Sequence, residues 1–159
     1  MGIEVKQFKQ YIIQPALALL DMKSPSAEAL LLGTAAQESK MGHYIHQLGG
    51  GPALGVFQME SATFQDIWQN YIRFRPAIAS RLAHQWPLQP EPEALVTDLL
   101  LAAVMCRLHY RRVFAPLPEA NDVNGLAAYW KRYYNTAAGR GTEAEFMTNW
   151  SRYGLSNLL

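Results

Sequence analysis

The amino-acid sequence predicts a mostly α single domain over residues 1–159, with one small irregular or β region. Three observations point there. Apolar side chains recur at helical spacing along most of the chain. The stretch "HYIHQLGGGPALGVFQME", residues 43–60, holds three consecutive glycines and a proline, and supports no helix. With 159 residues, 50% apolar and 17% charged, the chain is long enough to bury one real core.

Taken in order, a first helix covers residues 4–21 and bends or restarts at Pro15, because proline removes an internal amide bond. The second begins with Ser24 as N-cap, Pro25 at the first helical position and Glu28 in the first turn, and runs to Met41 before Gly42 ends it. After the glycine-rich loop comes a short extended piece from Leu54 to Glu60. Helical patterns then cover 61–73, 76–85, 92–114, 122–132 and 142–152. The segment 92–114 contains "LLLAAVMC", apolar on every side, and reads as the central strut of the core.

Charge and cysteine content remove several classes of function. Fourteen basic residues against 13 acidic ones leave a net charge of +1. They form no long run, which argues against a nucleic-acid partner. Arg73, Arg75 and the pair Arg111-Arg112 read as solvated helix ends. The single Cys106 has no disulfide partner in the chain and lies in an apolar run, where it reads as a small buried hydrophobe. The N-terminal lysines and apolar stretch imitate a secretion signal, yet Glu4 interrupts the first and Gln14-Pro15 the second, and no small-residue cleavage site follows. No apolar run approaches the roughly 18 residues a membrane span needs. The expectation is a protein made in the cytoplasm, without membrane insertion.

Chemistry enters at "TAAQESKMG", residues 34–42. In helical register Ala27, Leu31, Thr34 and Ala35 lie within about 60° of Glu38, so an acid occupies the middle of a buried stripe. It also comes just before the glycine-rich loop, where a buried helix opens into a cleft. Desolvation there raises a carboxyl pKa toward neutrality, the property a general acid needs. The competing reading is a structural glutamate held by a buried partner. His43 and His46 lack an evident third ligand, so neither a metal nor any other cofactor is expected. "GGGP" is no phosphate loop, since no Gly-Lys-Ser/Thr follows; it reads as a lip where backbone approaches a ligand closely.

Three segments, "ES" at 38–39, "GVFQMESAT" at 55–63 and "YYNTAAGRG" at 133–141, together resemble the goose-type lysozyme and soluble lytic transglycosylase superfamily. The likeness is greatest to compact members found in bacteriophage virions. It implies a lysozyme-like fold and cleavage of the MurNAc-GlcNAc β-1,4 linkage in peptidoglycan. Carried over residue by residue, it makes Glu38 the catalytic acid and Ser39 a neighbour contacting sugar or acid. Gln58 becomes a substrate hydrogen-bonding group near the scissile bond, Tyr134 the tyrosine that orients the carboxyl, and Asn135 part of the cleft wall. The chain departs from the family pattern at Phe57, where methionine is usual, at Tyr133 in place of alanine, and at an inserted Thr136 or Ala137. Tyr129 in "LAAYW" rivals Tyr134 for its role.

The outcome of the reaction turns on a second acid. Glycosidases ordinarily pair two carboxyl groups, and no Asp or Glu lies between Glu38 and Glu60. That gap favours the one-acid transglycosylase route of the resembled family. Glu60, two residues beyond Gln58, faces the cleft with it if the segment is extended; its alternative role is an acid at a helix N-terminus. Hydrolysis with Glu60 as second carboxylate, and a glycan-binding or structural virion component without turnover, are the other two readings. The resemblance implies peptidoglycan strands as substrate, phage tail or virion proteins as partners, and delivery to the periplasm by the particle or through a separate membrane pore.

Overall fold

A computed structural model describes residues 1–135 and 139–159, so the expected insertion at Thr136 or Ala137 lies outside the described residues. Glu4 opens the first helix by accepting the amides of Lys6 and Gln7. Helix α1 (Val5–Phe8) continues through a π-helical segment, Lys9–Ile13, into α2 (Gln14–Leu20). The widened register lies just before Pro15, which stands in the first turn of α2 and has no amide to donate. Asp21, in left-handed conformation, closes α2.

Helix α3 (Pro25–Ser39) starts where the sequence indicates, with the Ser24 hydroxyl accepting the Ala27 amide at 3.0 Å. It is buried on every side rather than along one stripe: Ala27 and all residues from Ala29 to Ala36 are buried. The helix packs at once against α2 and three later helices, α7 (Leu99–Arg111), α8 (Val123–Trp130) and α9 (Glu143–Arg152). Thr34 is accommodated there by bonding the Leu30 carbonyl at 2.7 Å and the Tyr110 hydroxyl at 2.8 Å. Gly33 lets Phe146 approach: a Cβ at this position would lie 2.4 Å from the phenyl ring.

The expected extended piece is a hairpin. β1 (Ala53–Leu54) pairs antiparallel with β2 (Met59–Glu60), with Ala53 opposite Glu60. Gly55 occupies the turn at φ +78°, against the Leu95 carbonyl, where a Cβ would meet backbone at 2.2 Å. Ile45 to Gln47 continue the ladder on the other side of β1. Gly49 and Gly50 have φ near +80° with nothing within 4 Å of a built Cβ. Those two glycines therefore serve turn geometry, not close approach.

Next come α4 (Ser61–Asn70), a 3-10 turn (Ile72–Phe74) and α5 (Pro76–Gln85), in which Pro76 again stands in the first turn. The single helix expected over 92–114 is two helices, α6 (Ala94–Thr97) and α7 (Leu99–Arg111). Asp98 separates them in an extended conformation. Its Oδ1 caps α7 through the Leu101 amide at 2.9 Å, and its Oδ2 accepts the Trp86 indole N–H at 3.0 Å. Leu101 to Leu108 are buried, so α7 is a core strut, a role α3 shares; Cys106 is buried and free. Helix α8 (Val123–Trp130) runs into a second π segment, Lys131–Asn135, and α9 (Glu143–Arg152) follows. No helix of the described residues is long and apolar enough to cross a membrane.

Asp98→Ala removes a cap and leaves the Trp86 N–H unpaired. It is expected to cost about 1–3 kcal/mol, read as a lower urea midpoint at unchanged m-value. Unaltered stability would show that the break does not depend on this side chain.

Candidate active site

Helix α3 ends abruptly, and that ending places Glu38. Lys40, Met41 and Gly42 all have positive φ, at 52°, 57° and 77°, so three consecutive left-handed residues turn the chain away from the helix axis. The two non-glycine members cost on the order of 1–2 kcal/mol each, a strain of the kind that collects at functional sites. The turn is held by the Ser39 hydroxyl accepting the Gly42 amide at 2.8 Å and by the Ile3 amide bonding the Met41 carbonyl at 2.7 Å. Ser39 itself is fully buried and lines neither cavity beside Glu38. It is a terminator of the helix, and its expected contact with a sugar is not made possible by this placement.

Glu38 stands where two cavities meet. One, of about 300 Å³, is walled by Gln58, Glu60, Tyr134 and Asn135 among others. The other, of about 610 Å³, runs past Tyr44, Arg140, Glu145 and Asn149. Four of the expected site residues, Gln58, Glu60, Tyr134 and Asn135, thus gather around the acid. For Gln58 and Glu60 the reason differs from strand alternation. Gln58 belongs to the hairpin turn at φ +50° and fixes its own amide on the Gly55 carbonyl at 2.9 Å, while Glu60 is an exposed residue of β2.

The carboxyl of Glu38 is pushed up to about 7, chiefly by burial. The Trp130 indole N–H, donated to Oε2 at 3.2 Å, opposes that rise. None of the ion pairs among the described residues involves Glu38. The side chain bonded to the carboxyl is a tryptophan, not the expected tyrosine. Tyr134 donates its hydroxyl to the Phe57 carbonyl at 2.6 Å, and Tyr129 donates to Ala115 at 2.9 Å, so both phenols are engaged elsewhere. Tyr134 instead ties the second π segment to the hairpin. Tyr44 supports the acid through its backbone, bonding the Glu38 carbonyl at 2.7 Å.

Asn135 is fixed by Lys131, whose ammonium donates to the Asn135 side chain at 2.7 Å and to the carbonyls of Gly139 and Gly141 at 3.0 and 2.7 Å. All three ammonium protons are satisfied without an acid. Sequence reasoning missed Trp130, Tyr44, Gln47 and Glu145. Of these only Trp130 carried a signal, an apolar ring ending a helix beside the "YYN" segment, and that signal does not distinguish cleft from core. Among the described residues no three His, Cys, Asp or Glu side chains gather as a metal site requires.

No protein-family model, curated protein or solved structure matches this chain.

The raised pKa has a stability consequence of defined sign. With 4.5 as the ordinary value and about 7 in the folded chain, the native state binds the proton more tightly than the unfolded one. The stabilisation is complete below pH 4.5 and is lost as pH rises through 7. Glu38→Gln is expected to gain stability relative to the parent across that window, by up to roughly 3 kcal/mol at pH 8, measured as paired melting curves at pH 4 and 8. A difference independent of pH would refute the shift. Trp130→Phe, which removes the opposing N–H together with part of a fully buried ring, is expected to move the Glu38 titration upward when followed by carboxyl ¹³C chemical shift.

Proposed function

We propose that this chain is a lysozyme-like enzyme that cleaves the MurNAc-GlcNAc β-1,4 linkage of bacterial peptidoglycan, with Glu38 as acid and then base. The observation that carries the reading is a desolvated carboxyl with pKa about 7, at the junction of two open cavities. The likeness of "ES", "GVFQMESAT" and "YYNTAAGRG" to the lytic transglycosylase superfamily supplies the substrate class.

Near neutral pH a substantial fraction of Glu38 is protonated, which lets it donate to the glycosidic oxygen as the C1–O bond breaks. The substrate's own acetamido group stabilises the cationic carbon. The Glu38 carboxylate then takes the proton from the C6 hydroxyl as that oxygen bonds C1, closing an anhydro ring and returning the proton to Glu38. Water is not consumed. Gln58, with its amide N–H on Gly55, keeps its side-chain oxygen for the sugar, and Asn135 lines the same cavity.

One observation favours a hydrolytic alternative: Glu60 lines the same cavity as Glu38. A second carboxylate there can activate water or trap the glycosyl cation. The mass of the released fragments separates the two, since anhydro ends are smaller than reducing ends by one water.

Purified sacculi incubated with the protein are expected to release anhydro-ended fragments. Activity is expected to fall as pH rises beyond about 7, because the general acid deprotonates. Glu38→Gln, still folded, is expected to lose at least about three orders of magnitude, in line with removal of a general acid whose partner groups remain. Reducing ends together with an inactive Glu60→Gln would establish hydrolysis, and glycan binding without turnover would end the enzymatic reading altogether.

A further inference from the structure

A third cavity, of about 150 Å³, shares no lining residue with the two around Glu38. It lies between the last turns of α7 and the segment 113–117, with Tyr129 of α8 as one wall. That tyrosine fixes the segment by donating to the Ala115 carbonyl at 2.9 Å. Arg107 and Arg111, one turn apart on α7, both line it.

Arg107 is unusual in its surroundings. It is 8% exposed, and its Nε and Nη1 are buried without a hydrogen-bond partner. No ion pair among the described residues includes it or Arg111. Burial and the neighbouring Arg111 charge both lower the Arg107 pKa, and no carboxylate offsets them. The adjacent Arg112 differs in having a carboxylate, since its Nη1 is paired with Asp66, although its Nε is likewise buried without a partner. A buried guanidinium carries donors that demand acceptors; Nε and Nη1 are shielded from solvent without one, and the side chain lines the cavity. The cavity exceeds the roughly 10–15 Å³ one water needs by an order of magnitude, enough for an oxyanion. At its edge Phe114 is fully exposed, a surface for an apolar group attached to that anion.

We infer that Arg107 and Arg111 form a binding site for a single oxyanion, the carboxylate or phosphate group of a small ligand. The two cations that line the cavity supply charge and guanidinium donors for the oxygens of the anion. This site is independent of the glycan reading.

The test follows the arginine Nε–Hε signals of the full-length protein by ¹⁵N–¹H spectroscopy. Sodium phosphate, sodium acetate and sodium chloride are titrated separately at matched ionic strength. The Arg107 signal, assigned by its loss in Arg107→Lys, is expected to shift saturably with phosphate, acetate or both, and not with chloride. The same anion is expected to raise the melting temperature by mass action. Arg111→Gln alters an exposed side chain and is expected to weaken that affinity at least several-fold while leaving wall clearing unchanged. Response to one anion alone identifies which group the site takes. A shift no different from that in chloride, or an affinity unaffected by Arg111→Gln, would overturn the inference; the latter variant carries the test if Arg107→Lys does not fold.

Discussion

A carboxyl group on the last turn of a helix with no wet face is the constraint around which this molecule is arranged. α3 is enclosed by four other helices, so whatever its final turn projects must either find a partner inside or open onto a cavity. Glu38 does both. Its oxygen takes one indole N–H, and the rest of the group faces space. A single neutral donor moderates the desolvation without cancelling it, whereas an arginine or lysine in that place would hold the acid ionised at every working pH.

The walls of the cleft come from segments whose backbones depart from regular structure. The left-handed run after α3, the turn at Gln58 and the π segment ending at Asn135 all border Glu38. A regular helix buries or exposes side chains with fixed periodicity. Aiming several polar groups at one point requires leaving that periodicity, and each departure here is secured by side-chain hydrogen bonds. Tyr134 holds the π segment to the hairpin, Lys131 gathers the chain around Gly139 and Gly141, and Ser39 closes the helix exit. Their hydrogen bonds spend polar side chains on shape, around the cavities that Glu38 lines.

Aromatic residues join these parts. Tyr110 packs tilted against Tyr129 and stacks on Tyr134, with ring centroids 5.7 and 5.2 Å apart, and it reaches Thr34 of α3. Trp130 and Phe146 meet at 5.6 Å over the small face that Gly33 provides. The indole that polarises the acid is thus held by the core itself, so its position cannot be adjusted without repacking α3 against α9.

What the sequence determined by itself were features set within a few residues of one another. Ser24-Pro25 marked a helix start, the glycine run marked a loop, Cys106 lay in an apolar run, and Glu38 ended a buried helix; each depends on capping, torsional freedom or helical register, all local quantities. Even there Asp98 went unrecognised, because an aspartate inside an apolar helical pattern becomes a cap only when Trp86 arrives to share its carboxylate. Tertiary structure alone decided which ring holds the acid, since Trp130 lies 92 residues away from Glu38. It also decided that Tyr134 spends its hydroxyl on Phe57, 77 residues distant, and that Arg107 faces a cavity while Arg112 finds Asp66. Hydrogen-bond partners at such separation are fixed by how helices pack, and one chain's residue order does not contain that geometry in any window short enough to read.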